Sequence, residues 1–254
     1  MTSVNLEPSD RRVLVSGASR GLGRALARAF AANGDRVAVH YGSREDEARA
    51  TLDSLDGAGH VLVGGDISTP DGAADVVERA TDGLGGLDVL VNNAAVNTPH
   101  PPATTPYEEW VRQWQSHVSV NLLGTAHLSH LAAQRMIAQG TAGRIVNIGS
   151  RGAFKGEPDH PAYGATKAAV HALGQSLAVA LAPHGIGVAS VAPGFIETER
   201  VAHRLTDEVR AQSPFGRVAS AEEIAGAVLW LASPAAQWSS GTVLDLNGAS
   251  YLRT

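Results

Sequence analysis

Hydrophobic positions along this chain follow two rhythms, short β-branched runs and longer Ala/Leu-rich stretches of helical period, and the two alternate. Arg12 to Ser16 and Arg36 to Tyr41 read as strands, with Gly21 to Asn33 between them as a helix, so the chain opens on a βαβ unit. The pattern then repeats without a linker. Arg44 to Leu55 reads as a helix, His60 to Gly64 as a short strand leading to Asp66, and Asp71 to Thr81 as a helix. Leu87 to Val91 reads as a strand running into Asn92, Asn93, Ala94 and Ala95. A Pro-rich loop, Thr98 to Pro106, leads into one helical stretch from about Tyr107 to Gln139. Arg144 to Gly149 is a strand ending at Ser150, a long helix runs from Tyr163 to about His184, and Ile186 to Val191 is again a strand. Phe195 to Gln212 mixes helical runs with polar interruptions, as a lid over a substrate would. Ser220 and Glu223 have capping-box spacing ahead of a helix over Ala221 to Leu231, and Thr242 to Leu246 is the last strand. Such alternation predicts an α/β fold, a doubly wound sheet of about seven parallel strands with helices on both faces. No repeat or low-complexity tract divides residues 1–254, which read as a single domain with residues 1–10 as a flexible leader.

Composition narrows this further. The chain has 254 residues, 44% hydrophobic but only 5% aromatic, so the core must come from Ala, Val, Leu and Ile, as in a parallel sheet covered by helices. A net charge of −5 offers no basic footprint, so neither nucleic acid nor an anionic membrane surface is expected as a partner. The absence of cysteine removes disulfides, thiolate zinc sites and a cysteine nucleophile together. The start MTSVNLEPSDRR lacks the cationic and apolar regions of a signal peptide, and no apolar run approaches the ~20 residues of a membrane span, so a soluble cytoplasmic protein is expected. His117, His127 and His130 have no carboxylate or cysteine at ligand spacing and read as helix-surface or subunit contacts, not a metal site. Trp110 and Trp114, four residues apart, read as a packing stripe.

In a doubly wound sheet the carboxyl ends of the strands face the ligand crevice, which makes Gly17, Tyr41, Asp66 and Asn93 candidate cofactor contacts. Gly17, Gly21 and Gly23 punctuate the first strand–helix junction in a GxxxGxG spacing, where glycine lets backbone amides approach a pyrophosphate at a helix N-terminus. Ser150 to Lys167, SRGAFKGEPDHPAYGATK, holds a hydroxyl, a phenol and an ammonium. Tyr163 and Lys167 lie four residues apart in a helix-forming segment, so both emerge from one face. An ammonium beside a phenol favours the phenolate and would make the tyrosine a usable proton donor and acceptor. Taken alone, the same spacing also suits a solvated Tyr and Lys on a helix surface.

The motifs SGASRGLG (16–23), GGD (64–66), NNAA (92–95), VNLLG (120–124), the Ser150, Tyr163, Lys167 set, APG (192–194) and LNG (246–248) together resemble the short-chain dehydrogenase/reductase family, in its compact single-domain branch. The resemblance implies a Rossmann-type fold with Asn121, Ser150, Tyr163 and Lys167 as a catalytic tetrad. Tyr163 would exchange a proton with the substrate oxygen, Ser150 would orient that oxygen, Lys167 would hold the nicotinamide ribose, and Asn121 would support a water. It further implies that Gly17, Ser19, Arg20, Gly21, Leu22 and Gly23 form the pyrophosphate loop. Asp66 and Ile67 would line the adenine, and Asn93, Ala94 and Ala95 the adenosine ribose. Pro193, Gly194, Ile196 and Thr198 would line the nicotinamide. Ser16 stands where the family often has Thr, and Ala95 where it often has Gly; neither change removes a backbone amide.

Relatives that use NAD carry an acid at the end of the second strand. Here that end reads His40, Tyr41, Gly42, Ser43, Arg44, with no acid before Glu45, and Arg20 stands in the glycine loop. NADP(H) is therefore the expected cofactor, with NAD(H) as the alternative and Arg20, Ser43 and Arg44 around the 2′-phosphate. The expected activity is an NADP(H)-dependent interconversion of a carbonyl and a secondary alcohol on a small molecule. A 3-oxoacyl-carrier-protein reductase is the alternative enzyme; it would need a basic surface, to which Arg151, Lys155 and Arg200 could contribute. A non-catalytic nucleotide-binding protein on the same fold is the alternative from another class. Pocket walls are expected from 96–102, 151–160 and 195–205, where Arg151, Lys155 and His160 would suit an acidic or polyhydroxylated substrate. Relatives pair their long helices into homo-dimers and homo-tetramers, and the same is expected here.

Overall fold

A computed structural model describes residues 10–199 and 205–253. Residues 1–9 of the predicted leader and five residues of the predicted lid, 200–204, lie outside the described residues. The elements in chain order are β1 (Arg12–Val15), α1 (Gly21–Ala32), β2 (Arg36–Tyr41), α2 (Glu45–Asp53), β3 (Val61–Gly64), α3 (Pro70–Leu84) and β4 (Val89–Asn92). After a loop come α4 (Tyr107–His117), a π-helical segment (Val118–Gly124), α5 (Thr125–Gln139), β5 (Arg144–Ile148), α6 (Pro161–Leu181) and β6 (Gly187–Pro193). The short β7 (Ile196–Glu197), α7 (Asp207–Arg210), β8 (Ala219–Ser220), α8 (Ala221–Leu231) and β9 (Val243–Leu246) complete the described chain.

Seven strands form one sheet in the order β3-β2-β1-β4-β5-β6-β9, and β7 pairs with β8 in a separate two-stranded ribbon. Every ladder of the main sheet is parallel, with Leu14 opposite both Ala38 and Leu90 in register. Parity along each strand divides the core in two. Val13, Val15, Val37, Val39, Val89 and Val91 pack on one face against α1 and α8. Leu14, Ala38, Leu90 and Ile145 pack on the other against α3 and α5. Both faces are buried, which is why these strands read as continuous apolar runs.

Several element boundaries shift by one to three residues from the hydrophobic pattern, and two of these shifts, with one change of helical pitch, have local reasons. β4 begins at Val89, not Leu87, because the Gln139 side chain takes both backbone groups of Leu87, accepting from its N–H at 2.7 Å and donating to its carbonyl at 2.8 Å. α6 begins two residues before Tyr163, with Pro161 in its first turn. The stretch from Tyr107 to Gln139 is continuous but changes pitch at Val118–Gly124, where the wider π-turn inserts Asn121 into the interior. Periodicity alone gives Asn121 an exposed, neutral place on that helix; instead it is 1% exposed.

Candidate active site

β1 and β4 are neighbours in the sheet but not in sequence, and the chain leaves them in opposite directions. A crevice opens at such a switch point. The glycine loop after β1 forms its floor. Gly17 has φ +65°, and a Cβ placed on it would lie 2.8 Å from the Cα of Ala94. At Gly23 a Cβ would come within 2.1 Å of the Gly17 carbonyl oxygen, so no side chain fits there. Ser16 fastens the two strand ends together. Its Oγ accepts from the N–H groups of Asn93 (2.9 Å) and Ala94 (3.0 Å), while the Asn93 amide donates to the carbonyls of Ser16 and Gly17.

Above this floor a cleft of about 510 Å³ runs from the β2 end to the β6 end. Of the residues assigned by the family resemblance or the charge argument, Gly17, Ser19, Arg20, Gly21, Leu22, Gly23, Ser43, Arg44, Asp66, Ile67, Asn93, Ala94, Ala95, Pro193, Gly194, Ile196 and Thr198 all line it, together with Ser150, Tyr163 and Lys167. Two do not. Tyr41 lies on the opposite side of β2 from the cleft: its phenol covers Gly64, where a Cβ would meet the ring Cζ at 2.6 Å, and its hydroxyl pairs with Glu45. Successive residues of a strand face opposite ways, so it is His40 that lines the cleft, and the expectation for Tyr41 is corrected accordingly. Asn121 sits behind the wall. Its side chain accepts from the Val96 N–H at 2.8 Å and donates to the Val96 carbonyl (3.0 Å) and to Thr166 Oγ1 (3.2 Å), tying the β4 loop to α6.

Ser150 follows the last residues of β5, and its Oγ accepts from the Gly152 N–H at 2.9 Å. A hydroxyl has one proton to give, and this bond leaves that proton for the cleft. Tyr163, half-buried, and Lys167, 4% exposed, project from adjacent turns of α6, with the ammonium 5.6 Å from the phenol ring centre. Lys167 Nζ donates to the carbonyl of Ile148 at 2.6 Å, which satisfies part of the charge in the interior and ties α6 to β5 beside Ser150.

Sequence reasoning missed three residues that hold this arrangement. His40 is 2% exposed; its Nδ1 accepts from the Gly17 N–H at 3.1 Å and its Nε2 lies 3.1 Å from the Gly65 carbonyl, so the neutral ring stitches β2 to the glycine loop and β3. Burial pulls His40 down to about 4, consistent with that neutral tautomer. His100 is likewise buried, and its Nε2 accepts from the Ala162 N–H at 3.1 Å, capping the first turn of α6 one residue before Tyr163. Glu47 sits between the two arginines expected at the 2′-phosphate, 2.7 Å from Arg44 and 3.8 Å from Arg20. Contacts made across the fold reveal the roles of His40 and His100 and the approach of Glu47 to Arg20, while Arg44 and Glu47 pair locally, three residues apart. His117, read as a surface residue, is fully buried and anchors the Pro-rich loop, its Nε2 accepting from the Thr98 N–H at 3.4 Å. Trp110 and Trp114 do pack together, with ring centres 5.8 Å apart. Among the described residues no group of three or more His, Asp or Glu side chains could hold a metal ion. No described helix is long and apolar enough to cross a membrane.

A parallel sheet with a glycine loop at its switch point, where backbone leaves no room for side chains, is the architecture of a dinucleotide-binding protein. Residues 17–248 match the family model described as enoyl-(acyl carrier protein) reductase. The chain is 36% identical over 249 residues to an L-rhamnose 1-dehydrogenase (NAD(P)(+)) of Sphingomonas sp. (strain SKA58), covering 95% of this chain and 96% of that one. It is also 36% identical over 255 residues to a 3-oxoacyl-(acyl-carrier-protein) reductase of Vibrio cholerae, covering 98% and 100%. A crystal structure of a short-chain type dehydrogenase/reductase from Mycobacterium marinum superimposes with a TM-score of 0.89 at 31% identity, covering 97% of this chain and 98% of that one. The chain belongs to the short-chain dehydrogenase/reductase family and is an NAD(P)-dependent oxidoreductase acting on a CH–OH group.

Proposed function

We propose that the protein is an NADP(H)-dependent oxidoreductase that interconverts a small-molecule ketone and its secondary alcohol, with Tyr163 as general acid and base. The observation that carries this reading is that Ser150, Tyr163 and Lys167 face the same cleft as the glycine loop. The bound nicotinamide supplies or takes up the hydride. The chain's own residues manage the oxygen. Ser150, its Oγ held by the Gly152 N–H, donates to the substrate oxygen and aligns it with the Tyr163 hydroxyl. Tyr163 gives its proton to that oxygen in reduction and receives it in oxidation. The ammonium of Lys167 stabilises the phenolate left behind. Asn121 fixes Val96 and Thr166, and so the distance between the cleft wall and α6. Tyr163→Phe is expected to cut turnover by about 10²- to 10⁴-fold while NADPH still binds, measured by fluorescence titration. Unchanged turnover would remove Tyr163 from the chemistry.

The cofactor preference rests on charge at the rim. Arg20, Ser43 and Arg44 line the β2 end of the cleft, and the acid that pairs with both arginines, Glu47, comes from α2, not from the strand end. The carrier-protein reductase reading finds less support in the basic surface it requires. Arg151 is 6% exposed and turned inward, and Arg200 lies outside the described residues. For assembly we favour a homo-dimer or homo-tetramer paired through the long helices, because Val179 on α6 and Tyr107 on α4 are each 79% exposed. A monomer on a calibrated sizing column would overturn that.

A further inference from the structure

The residue after Ser150 is an arginine whose surroundings are unusual for a cation. Arg151 is 6% exposed, and among the described residues no carboxylate lies within ion-pair distance of it. Its hydrogen-bond partners are neutral. Nη1 donates to Ser250 Oγ at 2.6 Å, Nη2 donates to Gln212 Oε1 at 2.9 Å, and the ring of Phe195 lies 5.5 Å from the guanidinium carbon. A guanidinium carries five N–H donors, and these bonds use two of them. Burying a cation is costly unless it is paired, and a natural protein tolerates one where a counter-charge arrives with a ligand.

The position of Arg151 says which ligand. Two cavities meet at Arg151 and Phe195: the cleft that holds Ser150, Tyr163 and Lys167, and a second cavity of about 240 Å³ reaching under Val209, Phe215 and Leu246. The other cation on the second cavity, Arg217, is already paired with Glu223 through two hydrogen bonds. Glu157, which faces Gly152, acts on Arg151 only through space, while burial pulls the guanidinium below its ordinary value without removing its charge. We propose that Arg151 binds an oxyanion group of the substrate, a carboxylate or a phosphate, displaced along the substrate from the carbonyl that Ser150 and Tyr163 engage. This assignment rests on the oxidoreductase reading above and adds the substrate class: oxo acids or hydroxy acids, or phosphorylated ketones and alcohols.

The test compares paired substrates that differ only in charge. With NADPH, 3-oxobutanoate, 4-oxopentanoate and 5-oxohexanoate are each assayed against their methyl esters, and dihydroxyacetone phosphate against dihydroxyacetone; the corresponding alcohols are assayed with NADP⁺. At least one anion is expected to exceed its neutral partner in kcat/KM by about 10- to 100-fold, the range for a charge-assisted hydrogen bond, and the pair that does so separates carboxylate from phosphate. In Arg151→Gln that ratio should collapse towards one, mainly through KM, and because both members of the pair are read in the same preparation a partial loss of fold does not alter it. Ser250→Ala removes a neutral partner and leaves the cation, so it should keep the anion preference or raise it. Neutral substrates reduced as well as their anions by the unmodified protein, or a ratio that survives Arg151→Gln, would overturn the inference and leave the oxidoreductase reading standing. Turnover of neither class in either direction would overturn the assignment of oxo acids and phosphorylated ketones as the substrate class, while the oxidoreductase reading is tested separately by Tyr163→Phe.

Discussion

Cofactor preference can be decided at two arginines. Side chains of Arg20 and Arg44 are 33% and 51% exposed, and both reach towards Glu47 at the β2 end of the cleft. A charge-assisted hydrogen bond in a dry site contributes about 1.5–3 kcal/mol, whereas an exposed ion pair contributes about 0.2–1 kcal/mol. Half-exposed guanidinium groups on a 2′-phosphate fall between these, near ~1 kcal/mol each after solvent screening. That energy corresponds to about 5-fold in kcat/KM for NADPH per arginine. Arg20→Ala with Arg44→Ala should therefore cost about 25-fold, somewhat less if the two groups share the phosphate and couple. NADH, which lacks the phosphate, should be little affected. Glu47→Gln should move the ratio the other way by a few fold, because its carboxylate competes with the phosphate for both cations. The assay is kcat/KM for NADPH and NADH at low and high ionic strength, and the NADPH advantage should shrink as salt screens the exposed rim. A preference for NADH in the unmodified protein, or a double variant that keeps the original ratio, would refute the reasoning.

Gly23→Ala places a Cβ 2.1 Å from the Gly17 carbonyl and should destabilise the fold by roughly 1–3 kcal/mol while weakening NADPH binding, read by thermal melting and fluorescence titration; a variant that melts and binds unchanged would contradict the geometry. Burial, and for His171 also the charge of Lys167, lowers His40 and His171 from 6.5 to about 4. The unfolded chain then binds more protons between those values, so the stability these rings contribute is complete above about pH 6.5 and is lost as pH falls towards 4. His171→Phe keeps an aromatic ring against Phe154 and removes the titration, so its melting temperature should fall less steeply over that window than the parent's; parallel profiles would exclude His171 as a contributor.

The hydrophobic pattern was enough to read the architecture because a parallel sheet buried on both faces leaves an unambiguous trace. Apolar runs such as Arg12 to Val15 and Gly187 to Pro193 must alternate with helices long enough to cross back over the sheet. Glycines were legible where the backbone itself forbids a side chain, as at Gly17 and Gly23, and the Tyr163–Lys167 pair was legible because helix period places it on one face. What stayed out of reach was parity and depth. A strand-end pattern marks the β2 terminus as a cofactor contact but does not say that His40 faces the cleft and Tyr41 turns away, since that depends on which face of the sheet the crevice opens over. Nor does helical period say that Asn121 and His117 are interior: the π-turn and the path of the 98–106 loop bring their partners from elsewhere in the chain.

Local sequence determined the elements, their order and the residue types that carry chemistry, because those follow from covalent geometry and hydrophobic period. Helical spacing already pairs Arg44 with Glu47, three residues apart, but tertiary structure decided which distant charges meet. Arg20 reaches across the fold to the same α2 carboxylate as Arg44, whereas the guanidinium of Arg151, one residue from Ser150 in sequence, meets Ser250, Gln212 and Phe195 and, among the described residues, no carboxylate within ion-pair distance. The energy of a buried cation depends on what surrounds it in space, and those neighbours lie up to 99 residues away along the chain.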